Sequence, residues 1–459
     1  MSGMARVLLA DGYPVSGCDL KLWSITDRLA ALGARVSQGH SPDHLEGVDL
    51  VVTTRAVPPE TPELVEAARR GLPVLRRGEL LGRLMAGRYG IAVAGTHGKT
   101  TTTSMVALLL EQAGLDPTIL AGGELVNLGT NAKRGAGPHL VVEADEFDRT
   151  FLHLRPRLAV VTNIEPEHLD YFGDFAQEVE AFRGFLRLLP EDGVAVVCAD
   201  DPLLRGLTGL AGPDAREEAP RLRPGDLAAR HLETYGLEHP ARWQAHDLRP
   251  NALGGTDFRV TRDGAPFGTF SLAVPGRHNV SNALAALAVG HILGLSPEGM
   301  RETLATFQGA RRRFEVRAEV GGITVVDDYA HHPTEVRATL RAARERYPGR
   351  RIVALFQPHT YSRVRTLLPE FVRAFDDADV LLITAIYAAR EQDTWGISGA
   401  DLVAAVQHRD KQYVETLAQA TAAAVQGLRP GDVFLTLGAG DVHEVAGLVA
   451  QRLKEDLTP

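Results

Sequence analysis

Short runs of β-branched and other apolar residues alternate with helical patterns along most of the chain. The runs are four or five residues long and are bounded by turn residues, which is typical of strands buried on both faces of a parallel sheet. They lie at residues 49–53, 91–94, 139–143, 158–162, 195–198, 323–327, 352–356, 380–384 and 433–436. The alternation predicts an α/β protein with mainly parallel sheets.

The chain has 459 residues and is too long for one core, because single cores stop growing at about 250–300 residues. Boundaries near Gly87 and at residues 308–310 divide it into three predicted domains, 1–87, 88–309 and 310–459. We expect a Rossmann-like N-terminal domain, a central parallel-sheet domain of the P-loop ATPase type, and a C-terminal Rossmann-like α/β domain.

The start of the chain departs from the usual pattern of a doubly wound domain. Such a domain begins with a strand and a glycine-rich turn, whereas residues 1–9 already have the pattern of its first helix. We therefore expect the first strand to be missing. Farther along, residues 203–229 are rich in Pro, Gly, Arg and Ala, and we interpret them as a surface insertion.

Composition narrows the class of partner. The net charge is −9 and the charged fraction is an ordinary 23%, so neither a nucleic-acid-binding face nor a polybasic membrane patch is predicted. No apolar run approaches the roughly 20 residues of a membrane-spanning helix, and no secretory signal is visible. The two cysteines, Cys18 and Cys198, suggest neither a disulfide framework nor a thiolate metal site. We expect a cytoplasmic protein that binds small molecules, either as a monomer or as a dimer.

The strongest chemical signal is a glycine-rich segment between an apolar run and a helical pattern. The run 91–93 precedes it, and its candidate nucleotide-binding residues are Gly95, Thr96, His97, Gly98, Lys99, Thr100 and Thr101. Glycines let backbone N–H groups approach phosphate oxygens, a lysine adds positive charge, and a hydroxyl can hold Mg2+. Val93 stands where the general P-loop pattern has Gly, so the alternative is a strand-to-helix turn with an incidental lysine.

Carboxylates follow two of the predicted strands. Residues 140–143 lead into Asp145, Glu146 and Asp148, and residues 158–162 lead into a polar segment that ends at Asp170. Strand ends of open α/β sheets are where ligands bind, and carboxylate oxygens suit Mg2+. The sequence therefore suggests two metal ions. The alternative is that acidic residues at loop starts cap the following helices, which is our interpretation of Asp145, Asp148 and Glu167.

Seven ordered motifs resemble those of the Mur ligases of bacterial cell-wall synthesis, over nearly the whole chain. The motifs are Gly95-Thr96-His97-Gly98-Lys99-Thr100, Glu143-Ala144-Asp145-Glu146, Thr162-Asn163-Ile164-Glu165 with His168, His278-Asn279 with Asn282-Ala283, Arg312-Arg313-Phe314-Glu315, Asp327-Asp328-Tyr329-Ala330-His331-His332-Pro333-Thr334, and Phe356-Gln357-Pro358-His359. The histidine in the first motif and the histidine pair in the sixth resemble the alanine-adding branch of the family.

The resemblance implies an ATP-dependent ligase that joins L-alanine to the carboxylate of UDP-N-acetylmuramate through an acyl phosphate, in peptidoglycan precursor synthesis. It implies that the first predicted domain binds the UDP-sugar, the second ATP and the third the amino acid. Implied metal ligands are Thr100 for one Mg2+, and Glu143 with His168 for the other.

The same resemblance implies roles for residues that contact ATP or close over the reacting groups. Lys99 would contact the phosphates, Asn279 the adenine, Arg313 a phosphate, Asp328 the ribose, and Tyr329, His331, His359 and Arg363 the reacting carboxylate and the alanine. His331 or His359 is a candidate to accept the amine proton, and the sequence does not choose between them. We interpret His332 as a helix cap only.

Three positions depart from the family pattern. The first strand and its glycine-rich turn have no counterpart, Thr360 stands where the family usually has Arg, and Phe147 stands where it usually has a small Ser. Threonine cannot replace the bidentate contact of a guanidinium, so we expect Arg363 to anchor more of the substrate. Two alternatives stay open: a recycling ligase that attaches a whole peptide to the same sugar nucleotide, and a catalytically silent nucleotide-binding relative.

Overall fold

The computed structural model describes residues 1–208, 223–227 and 231–455, and it confirms the predicted α/β class. Within these ranges, strands and helices alternate as the apolar pattern predicts. Much of the predicted surface insertion, residues 209–222 and 228–229, lies outside the described residues. Among the helices formed by the described residues, none combines the length and the apolar composition that crossing a bilayer requires.

The N-terminal segment begins with a helix, as predicted, and contains two small parallel sheets. Strand β1 pairs with β2, and β3 pairs with β4. The elements are α1 Ser2–Ala10, β1 Ser16–Asp19, α2 Ser24–Ala31, β2 Arg35–Gln38, β3 Val51–Thr53, α3 Pro62–Arg70, β4 Val74–Arg76 and α4 Arg77–Met85. A short 3-10 helix, Pro42–Leu45, lies between β2 and β3.

The central segment contains a larger sheet whose strands run in the order β11-β10-β9-β5-β8-β6-β7. All of these neighbours are parallel except β6 and β7. The elements are β5 Tyr89–Ala94, α5 Lys99–Gln112, β6 Thr118–Leu125, β7 Thr130–Lys133, β8 His139–Glu143, β9 Leu158–Val161, α6 Leu169–Phe172, α7 Phe175–Leu186, β10 Val194–Cys198, α8 Pro202–Arg205 and β11 His231–Gly236. Strand β5 lies in the middle, and its residues from Gly90 to Ala94 are buried.

Three further strands and two helices follow before the C-terminal sheet. They are β12 Trp243–Pro250, β13 Thr256–Arg262, β14 Ala265–Leu272, α9 Arg277–Ile292 and α10 Pro297–Ala305. Strand β12 begins beside β11, where Tyr235 pairs with Trp243.

The C-terminal segment forms a sheet in the order β15-β16-β20-β17-β18-β19, antiparallel only between β15 and β16. The elements are β15 Glu315–Val320, β16 Ile323–Asp328, α11 Pro333–Arg346, β17 Ile352–Phe356, α12 Tyr361–Thr366, α13 Leu368–Phe371, β18 Val380–Ile383, α14 Gly399–Ala405, β19 Lys411–Tyr413, α15 Leu417–Gly427, β20 Val433–Leu437 and α16 His443–Glu455. Alternate residues of β17 enter two separate cores, Ala354 and Phe356 on one face and Val353 and Leu355 on the other. A sheet covered on both faces explains why this strand is apolar throughout.

The chain separates into two compact units. The first contains Met1–Gln244, Arg262–Ala265 and Asn282–Thr303, and the second contains Ala245–Thr261, Pro266–Ser281 and Leu304–Pro459. The division into three domains at residues 87 and 309 stays a prediction.

Candidate active site

The predicted phosphate-binding loop connects the central strand β5 to helix α5. Gly95 and Gly98 have φ angles of 132° and 81°, which residues with a Cβ atom rarely adopt. A Cβ atom at Gly95 would lie 2.0 Å from Thr162 Oγ1, and one at Gly98 would lie 2.6 Å from Asn282 Oδ1. Both positions therefore favour glycine, because the backbone has a positive φ angle and because neighbouring side chains leave no room for a Cβ atom.

The end of strand β9 holds this loop in place. The backbone N–H of His97 donates to Asn163 Oδ1 at 2.8 Å, and the Thr162 hydroxyl donates to the His97 carbonyl at 2.5 Å. Thr96 Oγ1 accepts a hydrogen bond from the Glu165 N–H at 2.9 Å. Thr162 and Asn163 belong to one of the family motifs, but the sequence alone did not predict that they shape the loop.

Lys99 forms a buried ion pair with Glu146. Its Nζ lies 2.8 Å from Glu146 Oε1 and also donates to the carbonyls of Gly95 and Thr96, at 2.5 and 3.0 Å. Burial alone would lower the pKa of Lys99, but the nearby carboxylates, Glu146 first, outweigh burial and raise it. Burial raises the pKa of Glu146 to about 7 despite the lysine. The carboxylates around Lys99 therefore favour its charged form.

Glu143 and Thr100, two of the predicted metal ligands, are in contact. The Thr100 hydroxyl donates to Glu143 Oε1 at 3.1 Å, and the Gly122 N–H donates to Glu143 Oε2 at 2.7 Å. Hydroxyl and carboxylate oxygens are donors that Mg2+ prefers. Thr101 lies one residue farther along α5 and is buried.

His168, the third predicted metal ligand, follows strand β9 in left-handed backbone conformation, with φ of 54°. Its ring packs on Phe147 with centroids 4.9 Å apart, and Phe147 also contacts Tyr171 at 5.7 Å. The aromatic side chain at position 147 is thus part of the packing around His168. Tyr171 also contacts Arg55, whose guanidinium lies 4.5 Å from the centre of the Tyr171 ring.

A second buried carboxyl group supports the segment that ends at His168. Glu178 of α7 accepts a hydrogen bond from the Glu167 N–H at 3.1 Å, and its side chain is fully buried. Burial raises the pKa of Glu178 to about 9, with the carboxylates of Glu146 and Glu167 adding to the shift. Glu178 was not predicted from the sequence, because a glutamate in a helical pattern gives no sign of its burial.

In the second unit, Asp328 lies at the end of β16 and anchors two turns. Its carboxylate accepts hydrogen bonds from the backbone N–H groups of Phe314 and Ala330, both at 2.7 Å. Burial raises the pKa of Asp328 to about 6, although Arg313 opposes the shift. Arg313 stacks 5.1 Å from the Tyr329 ring and lies 3.6 Å from Glu335.

His331 and His359 come together, although 28 positions separate them in the sequence. Their ring centroids are 5.6 Å apart, and His359 also stacks on Tyr387 at 5.6 Å. His331 Nδ1 lies 2.9 Å from the Tyr329 carbonyl. His332 instead caps helix α11, where its Nδ1 accepts from the Thr334 N–H at 3.3 Å.

Arg363 lies beside this histidine pair. Its Nη1 donates to His359 Nδ1 and to the His359 carbonyl, both at 2.8 Å, and to Thr360 Oγ1 at 3.2 Å. Thr360 has a φ of 64°, which is strained for a β-branched residue.

Asn279, at the start of α9, donates its side-chain N–H to the Pro275 carbonyl at 2.7 Å. The structure thus brings predicted residues together in two groups. One group is the loop 95–101 with Glu143, and the other is His331 with His359 and Arg363.

Three segments of the chain match family descriptions. Residues 1–89 match "Mur ligase family, catalytic domain", residues 93–290 match "Mur ligase middle domain", and residues 312–440 match "Mur ligase, glutamate ligase domain".

Curated relatives are similar over almost their full lengths. The UDP-N-acetylmuramate–L-alanine ligase of Anaeromyxobacter sp. (strain Fw109-5) is 48% identical over 445 residues, which is 96% of this chain and 93% of the relative. The protein of the same name from Symbiobacterium thermophilum is 49% identical over 460 residues, which is 99% of this chain and 92% of the relative.

Solved structures have the same fold. The UDP-N-acetylmuramate-alanine ligase of Thermotoga maritima superposes with a TM-score of 0.81 at 28% identity, over 99% of this chain and 97% of that one. A murein peptide ligase from Psychrobacter arcticus gives a TM-score of 0.70 at 25% identity, over 99% and 96%.

Proposed function

This chain belongs to the Mur ligase family, and from that premise we propose that it joins L-alanine to the carboxylate of UDP-N-acetylmuramate with ATP, giving ADP and phosphate. The reaction adds the first amino acid to a peptidoglycan precursor. One structural observation carries the proposal: Lys99 is held at the phosphate-binding loop beside the contacting pair Thr100 and Glu143. A lysine and two oxygen donors for a cation, all at a strand end, suit the polyphosphate of ATP.

In the first step, a carboxylate oxygen of the sugar nucleotide attacks the γ-phosphorus of ATP. The new O–P bond forms as the bond between the γ-phosphorus and the β,γ-bridging oxygen breaks, so ADP leaves and an acyl phosphate remains. Two anions approach each other in this step. We propose that Lys99 turns from Glu146 to a phosphate oxygen and offsets this repulsion.

In the second step, the amine of alanine attacks the activated carbonyl carbon. The C–N bond forms, the C–O bond to phosphate breaks, and the amine loses a proton. His331 and His359 are the candidate acceptors of this proton, and we assign Arg363 to the reacting carboxylate beside them. Water must be kept out, because it would hydrolyse the acyl phosphate.

The oxygen donors near the loop fit magnesium. We propose that Thr100 holds one Mg2+ and that Glu143 with His168 holds a second, and both ions would offset phosphate charge when bound. The observation in favour is the contact of the Thr100 hydroxyl with Glu143, which gathers hard oxygen donors at one point. The number of ions is part of this proposal.

The remaining assignments rest on the family motifs. We propose that the residues of the loop, Gly95 to Thr101, cradle the phosphates, that Asn279 contacts the adenine, and that Arg313 and Asp328 contact a phosphate and the ribose. Asp328 is buried and accepts two backbone hydrogen bonds, so its carboxylate is held in one position, which supports its proposed contact with a ribose hydroxyl. A cytoplasmic location and the choice between monomer and dimer stay predictions.

Phosphate release tests the function directly. The purified chain receives ATP, Mg2+ and UDP-N-acetylmuramate, with L-alanine in one arm and a tripeptide in the other. We expect ADP and phosphate to form in equal amounts with alanine, and the alanyl sugar nucleotide to accumulate. Faster release with the tripeptide would favour the recycling ligase, and ATP binding without release in either arm would favour a silent relative.

A further inference from the structure

Four potential metal ligands converge in the N-terminal segment, and none of them has a role in the proposed chemistry of the ligase. Cys18 lies in β1, His40 and His44 follow β2, and Glu63 lies in the first turn of α3. Cys18 Sγ is 3.2 Å from Glu63 Oε1 and 3.7 Å from His40 Nδ1. His44 Nδ1 is 2.7 Å from Glu63 Oε1, and His40 Nδ1 is 3.1 Å from Glu63 Oε2.

We propose that this cluster, Cys18, His40, His44 and Glu63, binds one divalent cation of the zinc class. One thiol, two imidazoles and one carboxylate form the mixed sulfur, nitrogen and oxygen donor set that Zn2+ and Co2+ prefer, whereas Mg2+ selects oxygen alone. The inference goes beyond the ligase reaction and does not depend on it.

The spacing of the donor atoms suits a tetrahedral site. Zn–S and Zn–N bonds of about 2.3 and 2.0–2.1 Å place neighbouring ligand atoms about 3.3–3.6 Å apart. Four of the six separations among the donor atoms of the cluster lie between 2.7 and 3.7 Å, close to this spacing, and together they connect all four residues. The donor atoms of Cys18, His44 and Glu63 all lie within 4.8 Å of one another.

Hydrogen bonds hold the four residues of the cluster together. Glu63 accepts from the Ser41 N–H at 3.0 Å as well as from the neighbouring side chains. The Cys18 thiol donates its S–H to Glu63 Oε1 in this network. Binding of the cation would form the metal–sulfur bond and release that proton to solvent.

The position of the cluster suggests what the cation would do. Strands β1 and β2 form one two-stranded sheet, and β3 and β4 form another. Cys18 lies in the first of these sheets, whereas Glu63 lies in the helix that follows β3. Two-stranded sheets are marginal by themselves, so a cation held by both parts would cross-link the segment and stabilise it.

Cobalt spectroscopy on the full chain tests the proposal. The protein is purified with a reductant, treated with a chelator, and titrated with Co2+ and then with Zn2+. We expect one equivalent of Co2+ to give a thiolate-to-cobalt charge-transfer band together with the strong visible bands of tetrahedral Co2+, and Zn2+ to remove both. The charge-transfer band identifies this cluster, because the proposed magnesium ligands Thr100, Glu143 and His168 contain no sulfur.

Matched variants complete the experiment. We expect C18S to abolish the charge-transfer band, and C18S and H44A each to weaken Zn2+ binding by at least about 100-fold, since losing a ligand costs more than losing its outer-shell partner. C198S is the control, because Cys198 is buried in β10 and lies outside the cluster.

Thermal unfolding shows whether each variant is folded, and we expect Zn2+ to raise the melting temperature of the unchanged protein and of C198S only. Absence of the charge-transfer band in the unchanged protein would overturn the proposal. So would a band that survives in C18S, or Zn2+ affinity that is the same in C18S and H44A as in the control.

Discussion

The phosphate-binding loop and the histidine pair are built in different ways. At the loop, the Glu146 side chain is 1% exposed and its partner Lys99 is 15% exposed, and glycines at fixed positive φ angles hold the backbone. Around the histidine pair, the His331 and His359 rings are tilted against each other, His359 stacks on Tyr387, and the nearby Arg313 side chain is 28% exposed. A buried charge has few alternative partners, whereas a half-exposed side chain can be screened or replaced by water. We therefore expect substitutions at the loop to have larger effects than substitutions near the histidines.

Lys99→Met gives the largest expected effect. It removes the cation proposed to meet the phosphates, and it leaves Glu146 buried without its partner. We expect phosphate release to fall at least about 1000-fold, as when another cationic phosphate-binding group is removed. Lys133→Met is the control, because Lys133 lies in the same unit but pairs with Glu111 and Asp116. We expect this variant to release phosphate at nearly the rate of the unchanged protein. A Lys99 variant with normal turnover would remove the loop from the mechanism.

Glu143→Gln tests the cation site. Replacing the carboxylate by an amide keeps its shape but lowers the charge that attracts Mg2+. We expect the Mg2+ concentration for half-maximal rate to rise about 10-fold or more, measured by titrating Mg2+ at saturating ATP. Glu124→Gln, at a half-buried position of β6 paired with Arg28, provides the matched control. An unchanged Mg2+ requirement in Glu143→Gln would contradict the assignment.

Arg363→Ala tests the region of the histidine pair. Loss of one charged hydrogen-bonding partner of a carboxylate costs about 1.5–3 kcal/mol, so we expect kcat/KM for the sugar nucleotide or for alanine to fall about 10- to 150-fold. Adding Thr360→Arg, which restores the residue usual in the family, should recover part of this loss. Arg365→Ala, on the same helix beside Trp395, is the control. Equal activity of the Arg363 and Arg365 variants would show that position 363 does not anchor a substrate.

Glu178→Gln gives the smallest expected effect, and it concerns stability. The folded pKa of about 9 lies above the ordinary value of 4.5, so the folded state binds this proton more tightly than the unfolded chain. The unchanged protein should therefore lose stability as pH rises from about 4.5 to 9, and the variant should not. We expect the variant to be more stable by about 1–3 kcal/mol at pH 8, and no more stable at pH 4.

Denaturant unfolding at several pH values measures this difference. Glu180→Gln is the control, because Glu180 lies on the same helix with its side chain 56% exposed. A stability difference for Glu178→Gln that does not change with pH would show that the buried carboxyl does not titrate in this range.

Much of the fold was predictable, because buried parallel strands leave continuous apolar runs. The run 91–94 became part of β5 and the run 352–356 became β17, and both are buried. The strand expected at residues 49–53 is shorter, Val51–Thr53. The residues of this strand are only half buried, so the apolar pattern that marks a buried strand predicts its ends less well.

From the residues alone, the site was predictable only where its members are close together in the sequence, and the more distant Glu143, His168 and His359 came from the resemblance to the Mur ligases. Loop residues 95–101 follow one strand and could be read as one motif. Glu146, which pairs with Lys99, is 47 positions away. Glu178, which supports the Glu167 backbone, is separated from the helix of Lys99 by the four strands β6 to β9 and by helix α6. The two cysteines gave no hint of the cluster around Cys18, because its other three residues are spread up to 45 positions along the chain.

The α/β class, the family and the glycine-rich loop follow from the order of the residues, since strand periodicity and backbone conformation depend on neighbouring residues. Only folding set which ionisable groups are removed from water: Lys99 against Glu146, Glu178 beneath Glu167, and Asp328 beneath two backbone N–H groups. Burial and charge proximity depend on distances between residues that are remote in the chain, and those distances exist only after folding.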